Sequence, residues 1–300
     1  MNLIVAVPVD ENLASFIGKK SSENSIAFYN RKMGDDVIVA LLPNQSDEKV
    51  YALAESLLVC SQVLLSTANL DRRFGEALVA CSLLDRRVLL TDDNDAAAFL
   101  KGAGLEGCKV VSRENVLDKL REGTVTQKEE PVRIDIDKAF PVKGVGTVVL
   151  GVVTRGTLRQ HDRLFHTSGR EALVRSIQSQ DEDVESAGRG TRVGISLKDI
   201  DHKEIEKGDL LMKQQVKRSA SVTVEITRTS SAAKESISQG ARYGMADGFS
   251  YSECTVRKHD GKLLELELVA PMPVEDGDEV LLTRGTVPRV FASGRITGKA

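Results

Sequence analysis

Up to about residue 125, hydrophobic positions alternate between two periods. The runs "NLIVAV", "VIVALL", "QVLLST", "RVLLTD" and "CKVVS" are of strand length and apolar throughout. Between them, "EKVYALAESLLV" sets Val50, Leu53, Ala54, Leu57 and Leu58 on one helical face. "RFGEALVACSLL" does the same with Phe74, Ala77, Leu78, Cys81 and Leu84. Asp93 and Asn94 stand where they would cap a helix through "DAAAFL". Strands apolar on both faces and separated by helices predict a parallel sheet covered on both sides. In such a sheet the junction "VAVPVDENLAS" (Val5 to Ser15) is where a phosphate is usually held, yet it has no glycine, lysine or threonine. The following "GKKS" (Gly18 to Ser21) reads as a solvated turn after the first helix.

The polar stretch "EGTVTQKEEP" (Glu122 to Pro131) reads as a linker, and beyond it the helical period all but disappears. "VRIDID", "TVVLGVV", "RVGISL", "SVTVEIT", "LLELELV" and "EVLLT" are short β-type runs separated by Gly- or Asp-containing turns. That spacing predicts small closed barrels, two in the available length, with "LMKQQVKRSA" (Leu211 to Ala220) as their junction. The expected units are 1–127, 131–214 and 216–300, with the two barrels folding without the first unit. Gly144 and Gly146 resemble half a dinucleotide fingerprint, but a strand follows them, so a tight barrel corner is the better account.

Composition narrows the function classes. The 41 basic and 44 acidic residues nearly cancel, which argues against a general polyanion binder; neither DNA nor a membrane is an expected partner. The charge divides unevenly, with 15 basic against 20 acidic residues through Glu130 and 26 against 24 beyond it. Cys60, Cys81, Cys108 and Cys254 form no C-x-x-C pair, and the four histidines lack metal-ligand spacing, so no metal or other cofactor is expected. With no apolar run near the ~20 residues of a membrane span and no basic leader, the expected location is the cytoplasm.

The segment from Phe140 to Leu211 carries a resemblance. Its Phe–x–Val–x–Gly–x–Gly–Thr–Val–Val opening, Arg–Gly turn, Arg–Val–Gly strand and closing Glu–x–Gly–Asp–Leu–Leu resemble the second domain of the elongation factor Tu and SelB family of translational GTPases. "RVFASGRIT" (Arg289 to Thr297) resembles the last strand of that family's third domain. The resemblance implies a GTPase-like, doubly wound α/β domain followed by two all-β barrels.

It also implies nucleotide motifs that this chain lacks. Where the family has G-x-x-x-x-G-K-[ST], the chain reads Pro8 to Ala14: Pro8 has no N–H to donate, and Asp10 and Glu11 would oppose phosphates. "GKKS" lacks the loop's first glycine, since Leu13 stands there. Asp–x–Pro–Gly–His becomes Leu41 to Gln45, and Asn–Lys–x–Asp becomes Thr91 to Asn94. "VVSRE" (Val110 to Glu114) is a faint echo of the family's Ser–Ala–x motif. Pro8, Asp10, Glu11, Leu41 and Asn94 thus mark a degenerate site, and the expected protein is a pseudo-GTPase rather than an enzyme. An acidic group of Asp92, Asp93 and Asp95 is a lesser candidate for a divalent ion.

For the second domain, the resemblance implies contact with the aminoacylated 3′ end of tRNA. Phe140 and Thr147 match positions lining that region, Lys143 stands at the edge of the same corner, and Arg175 and Arg192 are candidate anion contacts. An equal alternative pairs the two arginines with Asp181, Glu182, Asp183 and Glu185. Three functions stay open: a tRNA- or translation-machinery-binding module without GTP, a factor with residual GTPase activity, and a regulatory protein scaffold that touches no RNA.

Overall fold

The computed structural model describes residues 2–44, 50–92, 96–123, 129–230 and 237–299. The expected Asp93–Asn94 cap, the acids Asp93 and Asp95, and half of the linker (124–128) lie outside these residues. The first domain runs β1 (Asn2–Ala6), α1 (Glu11–Ile17), β2 (Lys19–Glu23), β3 (Ile26–Met33), β4 (Asp36–Pro43) and α2 (Val50–Val59). It continues with β5 (Gln62–Ser66), α3 (Arg72–Ser82), β6 (Arg87–Thr91), α4 (Ala97–Ala103), β7 (Lys109–Val111) and α5 (Val116–Arg121). The sheet order is β2-β3-β4-β1-β5-β6-β7, with β4, β1, β5, β6 and β7 mutually parallel.

The five apolar runs are these five parallel strands. "GKKS", however, does not form a solvated turn: Lys19 opens β2, which pairs antiparallel with β3, and β3 pairs antiparallel with β4. The sheet is therefore mixed, with an antiparallel hairpin at one edge. Gly18 permits the hairpin's close return, since a Cβ there would lie 2.7 Å from the Asn30 backbone. Asp10 caps α1 by accepting from the Leu13 amide at 2.9 Å, and Asp71 caps α3 through the Phe74 amide at 3.0 Å.

The second unit contains β8 (Arg133–Val142), β9 (Gly146–Arg155), β10 (Thr157–Arg159), β11 (Arg163–His166), β12 (Glu171–Ser179) and β13 (Glu182–Val184). β14 (Ser186–Gly188), β15 (Thr191–Lys198) and β16 (Leu210–Met212) complete it. Strands β11-β16-β8-β9-β15-β12 form a barrel closed by the β11–β12 pairing, with β13 appended. Gly144 and Gly146 (φ 80° and 101°) make the tight β8–β9 turn, a conformation that only glycine enters without strain. The third unit is a closed six-stranded barrel: β17 (Arg218–Thr229), β18 (Arg242–Asp247), β19 (Ser250–Asp260), β20 (Leu263–Pro273), β21 (Glu279–Thr283) and β22 (Val290–Lys299).

The three units share their packing. Val152 from the second unit and Ala246, Phe249, Leu281 and Val290 from the third join the core that holds Ile4, Phe28, Leu57 and Phe74 of the first. α2 lies between the sheet and the third unit, which explains why Glu55 and Ser56 are buried along with its apolar face. The two barrels meet around Arg133, whose guanidinium pairs with Asp135 at 3.1 Å, Asp247 at 2.8 Å and Asp278 at 2.7 Å, all four side chains buried. Cys60, Cys81 and Cys254 are buried free thiols. Among the described residues no helix is long and apolar enough to cross a membrane.

Because Phe249 fills a core formed by all three units, Phe249→Ala should lower the unfolding free energy by about 3–5 kcal/mol in urea denaturation. A loss below ~1 kcal/mol would mean that the ring does not tie the units together.

Candidate functional site

The carboxyl ends of the parallel strands, where α/β sheets usually take ligands, carry charges of the chain that pair with one another. Asp10 spends one carboxylate oxygen on the α1 cap, and its other oxygen lies 3.7 Å from Arg113 Nη2. Arg113 reaches in from beyond β7, its Nε 3.9 Å from Asp92 Oδ1 and its guanidinium 6.0 Å above the Phe16 ring. Asp92, at positive φ just after β6, also accepts from Ser66 Oγ at 2.6 Å. Glu11 turns the other way and accepts from the Tyr29 hydroxyl at 3.0 Å. Leu41 is fully buried in β4, in register with Ala6 and Phe28. Asn94 lies outside the described residues. Of the five residues that mark this region in sequence, Pro8 and Asp10 stand at the strand ends and Leu41 belongs to the core.

In the second unit the candidate residues separate into two groups. Lys143 and Arg175 are exposed at the β8–β9 corner, where Arg175 donates to the Val145 carbonyl at 3.2 Å. Phe140 is half-buried beside them, with Lys138 Nζ 5.9 Å from its ring. Thr147 is not on this surface: it is buried, and its hydroxyl donates to the Ile200 carbonyl at 2.8 Å. Arg192 is buried too, against the β2–β3 hairpin. Its guanidinium lies 3.5 Å from the Phe28 ring centroid, and Nη2 donates to Ser22 Oγ at 2.9 Å and to Asp137 at 3.4 Å. The acidic run from Asp181 to Glu185 therefore pairs with neither arginine; Glu182 takes Lys32 at 2.5 Å, and Asp183 takes Gln178 at 3.0 Å.

Beside Arg192 lies a junction that sequence reasoning missed. Lys207 Nζ donates to Glu55 at 2.5 Å and to Ser25 at 2.7 Å, and sits 5.8 Å from the Tyr51 ring and 5.9 Å from that of Phe249. Burial pushes the Glu55 carboxyl up to about 7, with Asp137 adding to the rise and Lys207 opposing it. Burial also raises Asp137, against the pull of Arg192 and Lys207. Arg289 clamps Glu76 with a bidentate pair between the third unit and α3. The one available signal was a glutamate inside the apolar α2 pattern, which has meaning only once a lysine is placed opposite it.

Comparison with known proteins follows the same architecture. The family described as Elongation factor Tu domain 2 matches residues 146–212. An uncharacterized protein of Methanocaldococcus jannaschii is 26% identical over 95% of this chain and 96% of its own length. The selenocysteine-specific elongation factor of Haemophilus influenzae is 24% identical over 97% of this chain, which spans only 48% of that relative. Translation elongation factor SelB from Methanococcus maripaludis, solved with the GTP analogue GppNHp, superposes with a TM-score of 0.82 at 18% identity. The superposition covers 100% of this chain and 79% of SelB.

The Glu55 carboxyl sets a pH test. Its pKa stands above the ordinary 4.5, so the folded chain keeps a proton that the unfolded chain has already lost. The stability this contributes is full below the unfolded value and disappears as pH rises through about 7. Relative to Glu55→Gln, the parent should therefore lose on the order of 2–3 kcal/mol between about pH 5 and 8. A parent-to-variant difference that does not change with pH would contradict the assignment.

Proposed function

Since the chain belongs to the elongation factor Tu and SelB family of translational GTPases, we propose that it serves translation as a binding module that works without GTP. The observation that carries this reading is Arg113, which bridges Asp10 and Asp92 at the strand ends. An incoming triphosphate would face Asp10 and lose the amide that Pro8 lacks, while Arg113 is already shared by two carboxylates. The Leu41 side chain offers no oxygen to a magnesium ion, and its carbonyl already accepts from the Val7 amide at 2.8 Å.

The partner in this reading is the acceptor end of a tRNA, or another component of the translation machinery, met in the cytoplasm. The contacting surface is the open corner of the second unit. Lys143 and Arg175 supply phosphate contacts there, and the half-buried Phe140 ring offers a face on which a base can stack. Arg192 and Thr147 act indirectly, by holding the strand and loop that carry this corner.

Two measurements test the proposal. In calorimetric titrations, GTP and GDP should each bind more weakly than ~100 μM, about −5.5 kcal/mol; tighter binding of either would restore the nucleotide-dependent reading. Aminoacyl-tRNA should bind with an affinity that falls as salt rises and does not respond to GTP. Combining Arg175→Ala with Lys143→Ala should cost about 1–3 kcal/mol and flatten the salt dependence. If the double variant binds like the parent, the RNA surface lies elsewhere.

A further inference from the structure

The turn between β11 and β12 brings a serine and a histidine to an aspartate from the start of β16. His166 and Asp209 are buried, whereas Ser168 is exposed on the turn. Ser168 Oγ lies 2.9 Å from His166 Nδ1, and His166 Nε2 lies 3.0 Å from Asp209 Oδ2. We propose that these residues form an acyl-transfer site, in which Ser168 takes the acyl group of an uncharged carboxylic ester and passes it to water. The site uses none of the residues Phe140, Lys143 and Arg175, so it does not rest on RNA binding.

The hydrogen bonds decide which group does what. An imidazole nitrogen accepts only where it carries no proton. The Ser168 amide N–H points at Nδ1 from 3.1 Å, so Nδ1 presents its lone pair on the side where Oγ lies. Nε2 then carries the ring proton and donates it to Asp209. Burial works to raise the Asp209 carboxyl, but hydrogen bonds from His166, Thr167 and the Glu206 amide outweigh it and hold the group at about 2. Arg218, from the first strand of the third unit, also pairs with this carboxylate. Asp209 is thus ionised and fixed in place. A hydroxyl, a neutral imidazole and an ionised carboxylate in this order make a serine nucleophilic: the base takes its proton as the new bond forms, and the carboxylate stabilises the imidazolium.

The turn supplies a donor as well. Gly169 adopts φ 86°, and a Cβ there would come within 2.7 Å of Gln215 Nε2. Glycine therefore lets the Gln215 carboxamide lie against the residue next to Ser168, where it can donate to the oxygen of a carbonyl under attack. Arg163 and Arg170, on either side of the turn, are paired with Glu171 at 3.8 Å and Glu204 at 2.7 Å, so neither is left to select a charged acyl group. In the reaction Ser168 Oγ bonds to the ester carbonyl carbon while its proton moves to His166 Nδ1. The ester C–O bond breaks, and that proton leaves with the alcohol. Water then adds to the acyl carbon and gives a proton to Nδ1. The bond to Oγ breaks, Oγ takes the proton back, and a carboxylic acid departs.

The test uses the full chain and p-nitrophenyl acetate. It reads nitrophenolate release and, in quenched samples, the acetylated residue by peptide mass spectrometry. Release should continue past one equivalent per chain, with the transient acetyl group on Ser168. Ser168→Ala, which removes one exposed hydroxyl, should abolish both signals and leave the melting temperature nearly unchanged. His166→Asn should lower kcat by about 100-fold or more. Asp209 is a positioning residue that acts through His166, so Asp209→Asn should lower kcat with KM unchanged. Should either buried variant fail to fold, Ser168→Ala still decides. The proposal fails if Ser168→Ala releases nitrophenolate as fast as the parent, or if the acetyl group sits on another residue. Release that stops at one equivalent overturns the transfer to water.

Discussion

Phe28 is the side chain on which the arrangement of the three units depends. One side of its ring takes the Arg192 guanidinium at 3.5 Å, and the ring of Phe249 meets it edge-on at 6.3 Å. The hairpin of the first domain thereby touches both barrels through a single residue. A desolvated cation–π contact contributes about 2 kcal/mol or more, and the edge-on aromatic pair adds to that. Around this centre the Glu55–Lys207, Glu76–Arg289 and Arg86–Glu279 pairs each join a helix or loop of the first domain to a barrel. An apolar centre with charged pairs around it resembles a permanent interface rather than a surface made to part.

This interface changes how the first domain's chemistry is read. Its parallel strands end, as such sheets do, at a crevice; within that crevice Asp10, Asp92 and Arg113 face one another. Buried polar atoms without a hydrogen-bond partner occur both at the strand ends, Thr91 Oγ1 and Arg113 Nε, and where the hairpin meets the second unit, Arg192 Nη1 and Asn30 Oδ1.

Much of the fold was legible from period alone. The five apolar runs are the five parallel strands, and Gly144 and Gly146 mark a barrel corner because their positive φ leaves few alternatives. The hairpin was not legible, for a physical reason: "KKSSE" is an exposed edge strand whose pairing is carried by the backbone, so its side chains show no buried face. The site was harder to read than the fold. Arg192 and Thr147 stand at positions that suggest a ligand, yet their surroundings are set by Ser22, Phe28 and Ile200, contacts that no local pattern records. Arg113 looked like a remnant of a closing motif, and only the fold brings it to Asp10 and Asp92.

The Arg133 cluster has a consequence for how the chain is made. Arg133 belongs to the first strand of the second unit, but Asp247 follows it by 114 residues and Asp278 comes later still. At a synthesis rate of roughly 5–20 residues per second, Arg133 is synthesised about 6–23 s before Asp247 exists to pair with it. Until then Asp135, two residues away, is its only carboxylate partner in the finished cluster. The nascent second barrel must therefore keep one end hydrated, or held by some other factor, and it closes fully only as the third unit emerges.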